Sequence, residues 1–519
     1  MLVPVWCTWT RGESAVLLVA PHGGRRPLVD AAAPPPNLRV NDVYTPQVTE
    51  LLAARLGAAT VINREQDRNT LDLNRTSQVL HRAPWFLELL AQQLDVILAR
   101  HAVAEVLFIH GWNIGQPKCD LGIGAVETNG ALHVPDGAAL SVDEAYLRER
   151  IAPLRAACAD TGIAASIGAR YPASHRNNLL QLFTARLPET DNVAARQIAA
   201  WAAAGRLQAV QLELGIPLRW PGTWRDRFIA AVSKTFATST GQAAIPQPLV
   251  SHRSSVATAA LQFYDPAADV GLFAGIGRMG SRISSGRLLL FLGGQRIALF
   301  TGEDVRGADV APLTFGSDEH GMQLRFSGPM LRLPDARVYL DLEAALAQSD
   351  LVEADVELRF TPSQSNEMQF GGVEGFVDIG GARRRINTGG FVNGSGLRAS
   401  GASRQTMLAA DFGGGDGVLS RITEDATRSL TLHFSGDGVR ALDDVRVIVS
   451  PDGDQYTPRR FELTCAAQAS VRAEPLSHMA ILRPVGQGRY LRVTFGVARF
   501  NWGARQGWGL YEHAVPVSP

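Results

Sequence analysis

Cysteine is scarce in this chain of 519 residues, and the four that occur, Cys7, Cys119, Cys158 and Cys465, are scattered without a Cys-x-x-Cys pair. This spacing excludes a dense disulfide framework and favours a reducing compartment. The N-terminal residues also lack the basic start, apolar core and small-residue cleavage site of a signal peptide. We therefore expect a cytoplasmic protein.

Long apolar runs and an excess of charge are absent as well. The chain has no run of about 18 apolar residues, the length that spans a membrane. Lys and Arg together number 50, as do Asp and Glu, so the formal net charge is zero. This balance predicts no nucleic-acid partner. Lysine is limited to Lys118 and Lys234, and a high-GC genome accounts for the abundant arginine, so arginine content alone does not indicate anion binding.

Apolar runs alternate with helical patterns through residues 1–235, which predicts an α/β domain. Short runs typical of buried strands occupy residues 15–20, 59–63, 106–110, 164–169 and 209–214. Amphipathic helical patterns occupy residues 48–56, 84–102 and 146–161. This order indicates a mainly parallel or mixed sheet with helices on both faces. Such sheets bind ligands beyond the carboxyl ends of their strands.

The chain is too long for one hydrophobic core, and its composition and apolar pattern change near residue 236. Residues 236–252 are rich in Thr, Ser, Gly, Gln and Pro, as is typical of a linker. Residues 253–519 carry alternating apolar runs between Gly, Asp and Ser clusters, which predicts an all-β region. The segment Leu324–Gly328 recurs in similar form as Leu432–Gly436. Two barrels that arose by duplication would explain this recurrence, and so would chance.

Two histidines in the first region follow or end a predicted strand. His22 precedes Gly23-Gly24, and His110 precedes Gly111. One such histidine is usually structural, but two at strand ends in one domain favour a metal site. A catalytic zinc ion needs a third protein ligand and an open position for water. Asp42 is the candidate ligand, although its place before a helix also suits a helix cap.

Further polar residues suit the handling of an anionic substrate. Asn74-Arg75 could bind a carboxylate, or could lie in a surface loop stabilised by Asp72. Arg68 could polarise a scissile carbonyl or hold Asp72. Glu213 lies in an apolar strand, where a carboxylate is costly unless it lines a cavity, and it would suit a general base and then acid.

A later polar segment, residues 170–178, could line the same binding pocket. Arg170 and Asn177 are its candidate substrate-binding residues. His175 could donate a proton, but a plain loop position is the favoured interpretation.

The ordered segments around His22, Asn74-Arg75, His110 and Glu213 resemble the N-formylglutamate amidohydrolase family, a branch of the zinc carboxypeptidase-like fold. The resemblance covers roughly residues 14–220. It implies a phosphorylase/hydrolase-like α/β domain, a Zn²⁺ held by both histidines, a carboxylate bound by Asn74 and Arg75, and catalysis by Glu213. Carboxypeptidases place a ligand Glu three residues after the first His, where this chain has Arg25.

The segments Phe500–Trp502 and Gly507–His513 resemble the end of tandem lipocalin-like proteins, a group that includes hydratase relatives. The resemblance implies a lipocalin-like barrel, or two, whose interior can hold one apolar ligand. Glu512-His513 could be an acid–base pair. Alternatively, Trp502, Trp508 and Tyr511 simply close the barrel.

These observations predict a zinc-dependent hydrolase that cleaves an amide or ester of a carboxylate-bearing small molecule. The all-β region would supply a module for an apolar ligand. Two alternatives stay open: the barrel is itself a hydratase or isomerase of a lipophilic substrate, or it only binds a ligand for the zinc domain.

Overall fold

The structure is a computed structural model that describes residues 2–26, 38–186, 189–237, 258–279, 283–304, 310–363, 368–393, 404–424, 429–465, 470–486 and 489–517. The described residues form two compact units. The first draws on Met1–Val29 and Arg39–Val250, and the second on Asp30–Leu38 and Ser251–Pro519. The predicted linker over residues 236–252 falls almost wholly outside the described residues, so the domain boundary stays a prediction.

The first unit is built on a mixed sheet of seven described strands in the order β1-β3-β2-β4-β9-β5-β8. Its strands, with the separate β6–β7 hairpin, are β1 Cys7–Thr10, β2 Val16–Ala20, β3 Ala59–Asn63, β4 Ala104–Gly111, β5 Lys118–Gly122, β6 Val126–Thr128, β7 Ala131–His133, β8 Ala164–Ile167 and β9 Leu207–Leu214. The central strands β3, β2, β4 and β9 are parallel, whereas β1 and β5 run antiparallel to their neighbours β3 and β9.

Helices cover both faces of this sheet. They are α1 Thr45–Leu56, α2 Thr76–Arg82, α3 Pro84–Leu98, α4 Glu144–Tyr146, α5 Ala152–Asp160, α6 Val193–Ala203, α7 Ile216–Arg219 and α8 Thr223–Ala237, with a π-helix Leu147–Ile151 and a 3₁₀ helix Leu179–Phe183. Alternate residues of the strands point to opposite faces. Thus Val106 and Phe108 of β4 share a core with α3, and Leu107 and Ile109 share another with α5 and α8. The predicted α/β class is confirmed.

Local predictions and structure differ at one place that matters for the site. The Leu-Asp-Leu alternation of residues 71–73 predicts a short strand, but the structure has a turn there. Asp72 accepts a hydrogen bond from the backbone N–H of Asn74, 3.0 Å away, and Arg75 forms an isolated bridge with Asn178. The alternation therefore reflects the burial of Leu71, Asp72 and Leu73, and not pairing with a neighbouring strand.

The second unit begins with a closed barrel. Its strands are β10 Ala259–Asp265, β11 Val270–Met279, β12 Ile283–Phe291, β13 Ile297–Asp304, β14 Leu313–Asp318, β15 Gly321–Leu333, β16 Asp350–Pro362, β17 Met368–Ile379 and β18 Ala382–Asn393, with a 3₁₀ helix Ala336–Leu340 and α9 Leu342–Gln348. Eight strands close because β10 pairs with β18 and β13 pairs with β15, and β14 lies beside β15. Leu261, Leu288, Phe300 and Phe326 fill the barrel with their buried side chains.

The remaining strands form a half-barrel in the order β22-β21-β20-β19-β27-β26-β25-β24-β23. They are β19 Gln405–Gly413, β20 Asp416–Thr423, β21 Leu430–Ser435, β22 Gly438–Ala441, β23 Arg446–Pro451, β24 Pro458–Thr464, β25 Ser470–Gly486, β26 Arg489–Trp502 and β27 Arg505–Val517. The predicted all-β class of this region is confirmed, as one closed barrel and one half-barrel. None of the described helices is both long and apolar enough to span a membrane.

Candidate metal centre

Three parallel strands bring the first set of candidate residues to one edge of the sheet. In β4, His110 is opposite Glu213 of β9, and Phe108 of β4 is opposite Val19 of β2. His22 comes two residues after the end of β2 at Ala20. Because parallel neighbours end on the same side, His22, His110 and Glu213 all lie at the carboxyl edge.

His22 is fixed by a tight turn. The side-chain amide of Asn63, the last residue of β3, donates to the carbonyl of Pro21 at 2.9 Å. A Cβ on Gly23 would lie 2.5 Å from the carbonyl oxygen of Asn63 and 2.3 Å from Pro46, so only glycine fits after His22. Gly23 is therefore required because Asn63 and Pro46 lie too close to its backbone to leave room for a side chain.

Asp42 reaches the histidines from the segment before α1. Its neighbour Asn41 donates to Asp67 at 2.9 Å and accepts from the backbone N–H of Arg68 at 3.0 Å. The helix cap position belongs to Tyr44, which makes no side-chain cap bond. The Asp42 side chain instead lies beside His22 and His110, so the structure does not adopt the helix-cap alternative.

Three potential ligand atoms converge in the buried centre. Nδ1 of His22 is 3.3 Å from Oδ2 of Asp42 and 3.1 Å from Nδ1 of His110, which is itself 3.2 Å from the same oxygen. A tetrahedral zinc ion with ligand bonds of about 2.0–2.2 Å separates neighbouring ligand atoms by about 3.3–3.5 Å. Among the described residues, these three form the one group of His, Cys, Asp or Glu that could hold a metal ion.

The carboxylate of Asp72 determines which ring nitrogen of His22 faces the other two candidate ligands. Nε2 of His22 lies 2.7 Å from Oδ1 of Asp72, so Nε2 carries a proton that it donates to this carboxylate, and Nδ1 faces Asp42 and His110. Metal-bound histidines commonly donate their outer N–H to a carboxylate in this way. The facing lone pairs repel unless a proton or cation lies between them. The residues therefore fit a divalent metal ion such as zinc.

Charges around the centre favour an ionised Asp42. Burial opposes its ionisation, but Arg68, His110 and His22 outweigh burial and hold the pKa of Asp42 well below its usual range. Arg68 donates from Nη1 to Oδ1 of Asp42 at 3.0 Å, which leaves Oδ2 to face the histidines. The sequence predicts that Arg68 holds Asp72 or polarises a carbonyl; its side chain is instead observed to donate to the carboxylate of Asp42 and to the carbonyl of Val40.

His110 and Asp72 are also perturbed by their surroundings. Burial lowers the pKa of His110 to about 4, although hydrogen bonding to Asp42 opposes the shift, so the ring is neutral near pH 7. Its Nε2 is buried without a partner among the described residues. Burial would raise the pKa of Asp72, but the hydrogen bond and charge of His22 lower it far below its usual range. A neutral imidazole is the form of His110 that can bind a metal ion, and an ionised Asp72 can accept the Nε2 proton of His22.

Glu213 is buried beside a glutamine that the sequence interpretation left without a role. Nε2 of Gln211 donates to Oε1 of Glu213 at 2.7 Å. Burial and then the negative charge of Asp42 raise the pKa of Glu213 well above its usual range. A carboxyl group with a raised pKa can exchange a proton near neutral pH, as a general base or acid requires.

Asn74 and Arg75 lie next to the centre, and each contacts it through another residue. Nδ2 of Asn74 is 3.4 Å from Oε1 of Gln211, and its Oδ1 is buried without a partner among the described residues. Nε of Arg75 is 3.5 Å from Oδ2 of Asp72. The same oxygen accepts from Nη1 of Arg39 at 2.9 Å. Arg75 and Arg39 thus form a partly exposed cationic rim, with Asp72 beneath it.

Arg170 and Asn177 lie in loops, where their predicted substrate-binding roles stay predictions. The side chain of Arg170 packs over the ring of Tyr171, and its backbone N–H donates to Asp120 at 2.8 Å. Oδ1 of Asn177 accepts from the backbone of Ser77 at 2.8 Å, at the start of α2. His175 is an exposed loop residue, as favoured from the sequence. These contacts tie Arg170 and Asn177 to neighbouring segments, and neither contact involves the candidate ligands His22, Asp42 and His110.

Arg219 is a fully buried residue that sequence reasoning missed. It donates to the carbonyls of Val43 and Trp112, at 2.8 and 3.2 Å, and so joins the segments that follow Asp42 and His110. Burial lowers its pKa to about 10, so it keeps its positive charge near pH 7. A Cβ on Gly111 would lie 2.5 Å from its guanidinium, which explains the glycine after His110.

The predicted Glu512–His513 pair of the second unit is divided between two faces of β27. His513 contacts Phe461 of β24 across the concave face of the half-barrel, with ring centroids 6.0 Å apart. Glu512 is opposite Phe495, whose ring contacts Phe273 of the closed barrel. Adjacent residues of a strand point in opposite directions. The two groups therefore do not form an acid–base pair on one substrate, and that interpretation is wrong.

The concave face instead holds a row of neutral polar groups. Nδ1 of His513 lies 2.9 Å from the hydroxyl of Thr406, and Thr494 is opposite His513 in β26. The hydroxyls of Thr494 and Tyr511 are buried without partners among the described residues. Burial lowers the pKa of His513 to about 4, so its ring is neutral near pH 7.

Protein-family models and curated protein sequences give no match to this chain. Parts of the chain are similar to solved structures, among them the following three. A candidate AttH protein from Nitrosomonas europaea has 11% identity, covers 49% of this chain and 90% of its own, and has a TM-score of 0.34. Kievitone hydratase from Nectria haematococca has 12% identity, 54% and 96% coverage, and a TM-score of 0.33. N-formylglutamate amidohydrolase from Ralstonia eutropha has 12% identity, 45% and 96% coverage, and a TM-score of 0.31. Similarity at this level assigns no activity to the chain.

Proposed function

We propose that the first unit is a zinc-dependent hydrolase that cleaves an amide, or an ester, of a carboxylate-bearing small molecule. The observation that carries this proposal is the convergence of Nδ1 of His22, Oδ2 of Asp42 and Nδ1 of His110 within 3.3 Å of one another in a buried centre. His22, Asp42 and His110 would hold the metal, and Asp72 would orient His22. A bound Zn²⁺ would act as a Lewis acid toward the scissile carbonyl and supply a nucleophile near neutral pH.

The residues around the centre divide the remaining tasks. Glu213 accepts a proton from the attacking water and delivers it to the leaving group, for which its raised pKa is suited. Arg75 and Asn74 receive the substrate carboxylate at the rim. Arg68 keeps Asp42 ionised and its free oxygen turned toward the histidines. Asp42 would supply the carboxylate ligand, because the position three residues after His22 is Arg25, an exposed cation that cannot bind a metal ion.

The test combines metal analysis with a substrate panel on the full chain. The zinc-loaded protein is expected to hydrolyse members of a panel of N-formyl, N-acetyl and N-succinyl amino acids, and not their carboxamide counterparts. Glu213→Gln should keep zinc and lose at least about 100-fold in kcat, because a general base contributes on that order. His22→Ala or His110→Ala should lose the zinc. Wild-type protein that binds no zinc, or that hydrolyses nothing when loaded, would contradict the proposal.

For the second unit, we propose a binding site for an apolar small molecule that carries a hydroxyl or carbonyl oxygen. The supporting observation is the pair of buried hydroxyls of Tyr511 and Thr494, unpartnered within the described residues, on the concave face of the half-barrel beside the neutral ring of His513. Apolar side chains such as Leu408 and Phe461 form the rest of that surface. Buried polar groups normally have partners, so a ligand oxygen there would satisfy them.

This second proposal is tested with 2-naphthol and naphthalene as fluorescent probes of the full chain. We expect 2-naphthol to bind more tightly than naphthalene. Tyr511→Phe should weaken 2-naphthol binding about 2- to 10-fold, the range of one neutral hydrogen bond, and leave naphthalene binding unchanged. Equal binding of both probes, or equal effects of the substitution on both, would overturn it. Turnover of a bound alkene or alcohol would favour the hydratase alternative over simple binding.

A further inference from the structure

Gln211 joins the two loops at the rim of the metal centre to the side chain of Glu213. Its Oε1 lies 3.1 Å from Nδ2 of Asn178 and 3.4 Å from Nδ2 of Asn74, and its Nε2 lies 2.7 Å from Glu213. Gln211 is buried within β9, where an unpaired amide would be costly. Its polar atoms are instead paired at both ends.

A backbone group determines the orientation of the side-chain amides of Asn178 and Gln211. The backbone N–H of Leu180 can only donate, and it lies 2.9 Å from Oδ1 of Asn178. The Asn178 amide nitrogen must therefore face Gln211, and the Gln211 oxygen must face Asn178. It follows that Gln211 turns its N–H toward Glu213, which can accept it in either protonation state.

We infer that Gln211 is a positioning residue for the proposed hydrolysis: it holds Glu213 in one orientation and transmits to it the positions of the Asn74 and Asn178 loops. This inference rests on the proposed function of the first unit. Gln211 acts on the reaction mainly through Glu213, which it contacts at 2.7 Å; its contact with Asn74, which would receive the substrate carboxylate, is longer at 3.4 Å, and none of its hydrogen bonds involves the three candidate metal ligands. Loss of Gln211 should therefore lower kcat while KM and zinc binding stay close to those of the wild type.

The chain offers a matched control on the same strand. Gln208 is also buried in β9, and its amide is likewise paired at both ends, with the backbone and the side chain of Asp143 at 2.9 and 2.8 Å. Gln208→Met and Gln211→Met each remove a satisfied buried amide and keep a similar volume. Of the two, Gln211→Met is the variant that removes a contact with Glu213.

A second variant acts at a distance from Glu213. Asn178→Asp keeps an oxygen for the backbone N–H of Leu180 but replaces the donor that faces Gln211 with an acceptor. The Gln211 amide is then expected to turn over and to present its oxygen to Glu213. Asn192→Asp, at the cap of α6, is the control, because Oδ1 of Asn192 accepts from Ala195 at 2.9 Å and that contact is retained.

The experiment measures kcat, KM, zinc affinity by chelator competition and the thermal midpoint for the full-length variants. Gln211→Met is expected to lower kcat about 10- to 100-fold, the range for losing a hydrogen bond to a charged group, with KM and zinc affinity within about 3-fold of the wild type. Asn178→Asp should lower kcat in the same direction. In a Glu213→Gln background, Gln211→Met should cause no further loss, since the two residues act as one unit.

The possible results separate this inference from the proposed function. If Gln211→Met behaves like Gln208→Met, or if its effect adds to that of Glu213→Gln, Gln211 has no positioning role although the hydrolase assignment stands. If Gln211→Met weakens zinc binding as much as it lowers kcat, it acts on the fold of the centre, and the inference is again refuted. A zinc-loaded wild type without any turnover refutes the proposed function and this inference with it.

Discussion

Replacing Asp72 with asparagine would change the outer partner of His22 and leave the three candidate ligands in place. In the wild type, one Asp72 oxygen lies 2.7 Å from Nε2 of His22, and the other accepts from Nη1 of Arg39 at 2.9 Å. The substituted side chain could still accept from His22 through its one oxygen. Its NH₂ group, however, would then face the Arg39 guanidinium, donor against donor, and the negative charge that strengthens the His22 bond would be gone.

The expected size of the effect follows from that change. A hydrogen bond to a charged group contributes about 1.5–3 kcal/mol, and a neutral one about 0.5–1.5 kcal/mol. The difference is about 1–1.5 kcal/mol, which corresponds to roughly a 10-fold loss of zinc affinity at about 1.4 kcal/mol per decade. This agrees with the lower end of the losses of roughly 10- to 100-fold that follow removal of the outer partners of metal ligands.

The assay is chelator competition for Zn²⁺ at pH 7 with the full-length protein. Asp120→Asn is the control, because Asp120 is just as buried and accepts four hydrogen bonds within 2.9 Å, from Ser166 and from the backbone of Ala169, Arg170 and Tyr171. It should lower the thermal midpoint without changing zinc affinity. Unchanged zinc affinity in Asp72→Asn, or equal weakening in both variants, would refute the assignment of Asp72 as the residue that orients His22.

Three further outcomes are expected. The pKa of His110 is about 4 in the folded protein, against an ordinary value of 6.5. Its contribution to the stability of the metal-free protein is therefore full above pH 6.5 and falls by about 3 kcal/mol as the pH drops toward 4. Urea unfolding at several pH values should show this decrease, and His110→Gln should remove it. Gly111→Ala, whose Cβ would lie 2.5 Å from the Arg219 guanidinium, should destabilise by about 1–3 kcal/mol in thermal unfolding, whereas Gly277→Ala, with nothing within 4 Å, should not. Tyr511→Phe should raise the thermal midpoint of the ligand-free protein by an amount equivalent to about 1 kcal/mol, because it removes a buried hydroxyl that has no partner within the described residues; a lowered midpoint would mean that the hydroxyl has a partner.

Much of the framework could be predicted because the apolar pattern determines it. The run of residues 59–63 matches β3 at both ends, and the pattern predicted over residues 84–102 begins where α3 begins, at Pro84. The pattern could not predict that β5 runs antiparallel to β9, since strand direction depends on how the chain returns and not on the composition of the strand. The apolar alternation also misassigned residues 71–73, because it reports burial and not hydrogen bonding.

Some residues of the candidate site could likewise be predicted from the sequence, and others could not. His22 and His110 could be selected because they stand at the ends of buried strands. Arg219 could not, because nothing in its local sequence separates it from the many surface arginines, and its partners Val43 and Trp112 are more than 100 residues away. Gln211 did leave a signal: an amide in a strand that is buried throughout requires partners, and its period-2 neighbour is Glu213.

The position of Asp42 bears on how a ligand set can be inferred from spacing. The carboxypeptidase pattern places a carboxylate three residues after the first histidine, and this chain has an exposed Arg25 there. A metal ion requires only that a carboxylate oxygen arrive at the right point with its charge intact. In the proposed centre Asp42 would meet that requirement from a different segment, which the bonds of Asn41 to Asp67 and to the backbone of Arg68 hold beside the Arg68 guanidinium. If the proposed ligand set holds, the carboxylate ligand comes from a segment that the Asn41–Asp67 pair fixes and not from the position three residues after His22, so replacing Asn41 should weaken zinc binding without removing any of the three candidate ligands.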